Sequence, residues 1–140
     1  MILTVNYEET RALRSGAENL LHGDSDGPCA VLAPPEDRVR VQGLLDRLEG
    51  DLSIQTLEDL YNTERAVEAI LECLRVEMES SVVATHPAGE HSVAAYFEFA
   101  HALTVAHRLS NMADEMRALI EVVTGEALTA DAVRSFHFPD

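Results

Sequence analysis

The chain has 140 residues, of which 46% are hydrophobic and 5% aromatic, and its formal net charge at pH 7 is −15. This length and apolar content predict a single folded domain, residues 1–140, with a substantial hydrophobic core. The negative charge excludes nucleic acid as an expected partner and disfavours an anionic membrane surface, because both recognise cationic proteins.

The first elements predicted along the chain are two short helices and a minor β element. Residues 2–5 are β-prone, and Asn6 and Glu9 form an N-x-x-E capping box at the start of a helix from about Tyr7 to His22. The apolar run 29–33 can pair with residues 2–5 as a two-stranded element. A second helix is predicted over about 35–49, and Gly50 suits its C-terminal cap.

Two long helices follow and form the centre of the predicted fold. The first covers about 54–83, with Ser53 as its N-cap, and the second covers about 92–125. The intervening segment THPAGEH contains a proline and predicts a turn. The pair is therefore an antiparallel hairpin over about 54–125, and a short C-terminal helix is expected after Thr129. The predicted fold class is mainly α, a helical bundle.

The apolar stripe of the fourth predicted helix favours a homodimer. It is wide, and several of its a and d positions are occupied by small residues: Ala95, Ala102, Ala106 and Ala113. Small residues allow helices to approach closely, so two hairpins can pair into a four-helix bundle about a two-fold axis. The alternative is that the N-terminal helices cover the whole stripe and the protein is a monomer.

The sharpest candidate site is Glu98-Phe99-Ala100-His101, an ExxH sequence on a helix. This spacing places a carboxylate and an imidazole on one face and resembles the ligand spacing of carboxylate-bridged di-iron bundles. The resemblance implies a site for iron or another divalent metal, with Glu98 and His101 as ligands. The competing interpretation is structural, with Glu98 accepting a hydrogen bond from Arg75, from His101 or from a tyrosine.

A complete di-iron site needs a second ExxH and two further glutamates, and the chain has one ExxH. A second copy of the chain can supply the missing half. The hairpin geometry limits which acids reach Glu98. Partners within the chain would be Glu72, Glu77 and Glu79, and partners across a subunit interface would be Glu64 and Glu68.

Recognisable catalytic motifs are missing from the sequence. It has no G-x-S-x-G, no G-x-G-x-x-G and no Walker loop, so enzymatic activity is not indicated and no cofactor is expected. Cys29 and Cys73 form no CxxC motif and are typical of reduced thiols in a cytoplasmic protein. No signal peptide or membrane-spanning run is recognisable. We therefore predict interaction or regulation through protein contacts, with metal binding as the alternative function.

Overall fold

The computed structural model is a helical bundle, which confirms the predicted fold class. It describes residues 1–22, 33–84 and 90–124, with side chains for 1–22, 33–81 and 93–122. The helices in these ranges are α1 (Tyr7–His22), α2 (Pro35–Arg47), α3 (Leu57–Ala84) and α4 (Glu90–Thr124). The predicted C-terminal helix after Thr129 lies outside the described residues, as do Cys29 and residues 30–32 of the predicted second strand.

The start of α1 is fixed by the predicted capping box. The Asn6 side-chain oxygen accepts a hydrogen bond from the Glu9 backbone N–H at 2.8 Å, and Glu9 Oε1 accepts one from the Asn6 backbone N–H at 3.0 Å. These reciprocal bonds satisfy two donors that have no partner inside the helix. The predicted bounds of α1 agree with the observed ones at both ends.

Strand β1 (Ile2–Leu3) pairs antiparallel with β2 (Leu52–Ser53), which follows α2. The predicted pairing of residues 2–5 with 29–33 lies outside the described residues, which do not include 29–32. A hydrogen bond from the Ile54 N–H to the Met1 carbonyl, 2.8 Å long, extends the pairing. A second bond, 2.8 Å long, runs from the Val5 N–H to a carboxylate oxygen of Asp51. The second strand therefore lies in the short segment between the second and third predicted helices.

Helix α3 begins three residues later than predicted, and Ser53 is not its cap. The Thr56 hydroxyl oxygen accepts a hydrogen bond from the Asp59 N–H at 3.0 Å, as an N-cap residue does. Helix α4 packs most extensively against α3, as the predicted hairpin requires. The buried side of α4 presents Ala102, Val105, Leu109, Ala113 and Ile120 to a core shared with all the other helices.

Gly16 allows α1 to approach α3 closely. A Cβ atom at this position would lie 2.6 Å from Ile70 Cγ2 and 3.0 Å from Leu74 Cγ. Both neighbours are fully buried, so neither can move aside without disturbing the core. The glycine therefore places α1 against the hairpin, and α1 in turn carries residues that face α4.

The state of Cys73 and the apolar character of the helices bear on the environment of the chain. Cys73 is disulfide-bonded, which corrects the prediction that it is a reduced thiol. Within the described residues, no helix combines the length and the apolar character that crossing a bilayer requires.

Candidate functional site

Glu98 and His101 lie on the side of α4 that faces α1, and none of the predicted partners on α3 is among the residues that line the cavity there. They line a cavity of about 200 Å³ between the two helices. The other residues around this cavity are Glu8, Arg11, Ala12, Ala94 and Phe97. The cavity thus combines two carboxylates, an imidazole and a guanidinium, and the positive charge of Arg11 opposes binding of a cation there.

Glu98 is partly exposed and does not point into the core. Its Oε2 atom accepts a long hydrogen bond, 3.5 Å, from the Ser15 hydroxyl on α1. His101 is also partly exposed. The structural interpretation of Glu98 as a hydrogen-bond acceptor therefore agrees with the geometry, although its partner is Ser15 and not Arg75, His101 or a tyrosine.

The glutamates predicted as partners within the chain have other contacts. Glu72 and Glu79 flank Arg75 on the exposed side of α3, with Arg75 Nε 3.0 Å from Glu72 Oε2 and Nη1 2.6 Å from Glu79 Oε1. The hydrogen bonds from Arg75 hold the pKa of Glu72 below its usual value. Glu77 also has an interaction partner.

The glutamates predicted to reach Glu98 across an interface lie further along the hairpin. Glu64 faces the second half of α4, with its Oε1 3.6 Å from Arg117 Nη2, and its side chain is 19% exposed. Burial raises the pKa of Glu64, and the charge of Arg117 only partly offsets this effect. Glu68 pairs with Arg65 at 3.5 Å. Among the described side chains, no three of His, Cys, Asp or Glu gather closely enough to hold a metal ion.

A polar network around the buried Glu9 joins α1 to α4 and was not predicted. The Glu9 side chain is 5% exposed, and its Oε2 atom receives hydrogen bonds from Arg108 and from the Thr104 hydroxyl, the latter at 2.6 Å. Arg108 also donates to the Thr4 carbonyl. The capping box accounted for one oxygen of Glu9. The apolar pattern around Glu9 did not indicate that the second oxygen meets α4.

A second unpredicted feature is a cleft of about 390 Å³ between α2 and α3. Arg40 on its wall bonds to the buried Asp37 at 2.8 Å and to the Asn62 amide oxygen at 3.1 Å. Its guanidinium carbon lies 5.5 Å from the centroid of the Tyr61 ring, a cation–π geometry. Arg47 lines the same cleft.

A third unpredicted feature is the outer face of α4, an exposed surface that borders the cavity with α1, which Phe97 also lines. Val93, Tyr96 and Phe97 are each more than half exposed there, at 52%, 56% and 56%. The two rings contact each other edge-to-face, with centroids 5.8 Å apart. The spacing i, i+3, i+4 places the three side chains together on the helix surface. Large apolar groups grouped in this way are typical of a contact surface.

No family model, curated protein or solved structure matches the chain. Function is therefore inferred from the geometry alone.

Proposed function

We propose that the protein acts through protein–protein contacts and associates with a second copy of itself through the outer face of α4. The observation that carries this proposal is the exposure of Val93, Tyr96 and Phe97 on one helix surface. Burying a large apolar side chain contributes about 1.5–3 kcal/mol, so a contact that covers all three on each copy is a substantial driving force. Aromatic anchors of this kind are frequent among the residues that dominate interface energies.

The charge distribution favours a second copy as the occupant of this face. Residues 93–107 contain one formally charged residue, Glu98, whereas 35 of the 140 residues in the chain are acidic or basic. Glu98 lines the cavity next to Phe97, where the guanidinium of Arg11 is also present. A two-fold interface places identical residues against each other, so an acidic chain can meet its own copy only where charges are few.

The alanines that first suggested a dimer support a different role. Ala102 and Ala113 are completely buried in the core of a single chain, so they serve the packing of the bundle. Ala106 packs against the same core. The proposed dimer therefore uses the exposed Val93, Tyr96 and Phe97 and not the alanine stripe, and the sequence prediction of a homodimer is retained with a different surface.

The proposal is tested by measuring solution mass with sedimentation equilibrium over a range of concentrations. We expect the unmodified chain to form dimers and the double variant Tyr96→Ser/Phe97→Ser to be monomeric with an unchanged helical circular dichroism spectrum. The control is Val122→Ser, which removes an apolar side chain that is 81% exposed near the other end of α4. A double variant that dimerises as well as the unmodified chain would overturn the proposed surface.

Metal binding is the second candidate function, and one observation favours it. Glu98 and His101 share their cavity with Glu8, a carboxylate from α1 that the sequence did not single out. Loading this cavity with iron or another divalent metal would require the three side chains to draw together and Arg11 to turn away, because a cation is repelled by the guanidinium. This alternative also has a direct test, given below.

A cytoplasmic location remains part of the proposal and has an observation against it. The composition and the acidic surface support it, whereas the disulfide bond of Cys73 is typical of oxidising compartments. Locating a tagged copy in cells by fractionation distinguishes a cytoplasmic location from an oxidising compartment. Recovery in an oxidising compartment or outside the cell would contradict a cytoplasmic role.

A further inference from the structure

The cleft between α2 and α3 has features of a small-molecule site. Its volume of about 390 Å³ falls within the range that binds small ligands. Helix α2 contributes Val39, Leu44 and two arginines, and α3 contributes polar groups including Asn62 and Thr63. Apolar surface with a few polar groups at fixed positions is the composition expected of a ligand cleft.

Gly43 keeps this cleft open, and packing does not require a glycine there. A Cβ atom at Gly43 would meet no atom within 4 Å, whereas at Gly16 it would collide with the core. A glycine inside a helix is less favourable than alanine by about 1 kcal/mol. Gly16 compensates for this cost by close packing of two helices. At Gly43 the missing side chain leaves an empty volume between Arg40 and Arg47.

Arg40 and Arg47 flank that volume on the same side of α2. They are seven residues apart in the sequence, which is about two helical turns or roughly 10 Å along the axis. Arg40 is held in place by Asp37, Asn62 and the Tyr61 ring. A guanidinium that is already ordered loses little conformational freedom when a ligand binds.

Arg47 has most of its donors available for a ligand. Within the described part of the chain its guanidinium makes one hydrogen bond, 3.4 Å from Nη2 to the Thr63 hydroxyl. The Thr63 hydroxyl itself donates to the Asp59 carbonyl at 2.7 Å, so it is fixed as an acceptor. Arginine presents five N–H donors in a planar fork that matches carboxylate and phosphate groups.

The local charge of the cleft differs from that of the whole chain. Two guanidiniums and one carboxylate, that of Asp59, line it, while Asp37 lies outside the lining and is paired with Arg65 as well as with Arg40. Charges farther away than about 8 Å are largely screened at physiological salt. The net charge of −15 therefore does not prevent an anion from binding here.

We propose that this cleft binds a small organic oxyanion, a carboxylate or phosphate joined to an apolar group. Arg47 makes the main contact to the anion, Arg40 adds a second positive charge, and Val39 with part of Leu44 covers the apolar group. The proposal is independent of the dimer, since it rests on α2 and α3 and not on the outer face of α4.

The test is a titration of ¹⁵N-labelled protein followed by NMR, with phenyl phosphate and benzoate as probes and phenol as the uncharged comparison. We expect saturable shifts of the amide signals of Val39, Gly43 and Asn62 with one or both anions, and none with phenol. The anion that binds more tightly distinguishes phosphate from carboxylate recognition. Arg47→Gln should weaken binding about tenfold, because it removes a charge-assisted hydrogen bond.

Two further variants keep the test decisive. Gly43→Leu should fill the cleft and abolish binding while the fold is retained, because a Cβ atom at this position meets no atom within 4 Å. Arg75→Gln makes the same charge change on a different face and should leave the affinity unchanged. Shifts that fail to saturate, equal binding of phenol, or full binding by a folded Gly43→Leu variant would each overturn the proposal.

Discussion

Glu9 on α1 and Arg108 on α4 form an ion pair across a helix interface, with the Glu9 side chain 5% exposed. The same guanidinium donates to the Thr4 carbonyl, so it joins α4 to both α1 and the segment that precedes it. A carboxylate this deeply buried is stable only when hydrogen bonds replace its lost hydration. Here Arg108, Thr104 and the backbone of Asn6 provide them.

Removing Arg108 should therefore destabilise the protein. We expect Arg108→Gln to lower the free energy of unfolding by about 2 kcal/mol, because a buried carboxylate loses its charged partner. Urea denaturation followed by circular dichroism measures this change. A double-mutant cycle with Glu9→Gln should show coupling between the two residues. Arg75→Gln, which breaks only exposed pairs, is the control and should have a much smaller effect. Additive effects of Glu9→Gln and Arg108→Gln would contradict the network.

Gly16 and Gly43 should respond in opposite directions to the same substitution. Gly16→Ala should destabilise the fold by about 1–2 kcal/mol, since overpacking against Ile70 and Leu74 outweighs the improved helix propensity. Gly43→Ala should stabilise it by about 0.5–1 kcal/mol, because the new methyl group meets open space. Thermal or urea unfolding of both variants gives the comparison. A stabilised Gly16→Ala variant would show that α1 and α3 are less closely packed than described.

Glu64 and Glu72 should contribute with opposite signs to the pH dependence of the free energy of unfolding. Burial raises the pKa of Glu64 above its ordinary value of 4.5, so the folded state binds this proton more tightly than the unfolded state. The associated stability is present below pH 4.5 and is lost as the pH rises through the raised pKa. The pKa of Glu72 is lowered, so its contribution is present above pH 4.5 and is lost as the pH falls through the lowered pKa.

We therefore compare the free energy of unfolding of Glu64→Gln with that of the unmodified protein at each pH. This difference should favour the variant more at pH 7 than at acid pH. Glu72→Gln should show a smaller trend in the reverse direction, because Glu72 is exposed and its pair with Arg75 is screened by solvent. Unfolding free energies of the unmodified chain and both variants at several pH values between 3 and 7 provide the test. If the unfolding free energies of Glu64→Gln and the unmodified chain changed in parallel with pH, a raised pKa at Glu64 would be contradicted.

Metal content separates the two candidate functions. We expect protein purified without an affinity tag to hold substoichiometric iron, manganese and zinc by elemental mass spectrometry, before and after anaerobic incubation with ferrous iron. The reason is the combination of separated ligands and the positive charge of Arg11 at the cavity. Stoichiometric metal that disappears in Glu98→Ala and His101→Ala, but persists in Glu72→Ala, would instead establish the metal site.

Local signals in the sequence were sufficient for some elements and not for others. The capping box of Asn6 and Glu9 predicted the start of α1 because both of its hydrogen bonds lie within four residues. The pairing of β1 with Leu52–Ser53 was missed because strand partners distant in sequence leave no mark on spacing, and the run 29–33 showed the same apolar character. Short apolar runs specify a strand more readily than they specify its partner.

At the candidate site too, the sequence predicted which residues are neighbours on one helix but not which helix packs against them. Helical periodicity placed Glu98 and His101 on neighbouring positions of one helix, and the structure retains that relation. Periodicity could not show which neighbouring helix would face them, and α1 takes the position that α3 was expected to hold.

The most direct test of the proposed association is a distance between two copies. An antiparallel pairing centred on Tyr96 places Asn111 of each copy on the order of 40–50 Å apart, given the rise of a helix. Asn111 is exposed, so Asn111→Cys can carry a nitroxide label for double electron–electron resonance. The account predicts a single distance in this range that disappears in the Tyr96→Ser/Phe97→Ser background. Absence of any dipolar coupling in the labelled parent chain, or a distance that survives the double substitution, would contradict it.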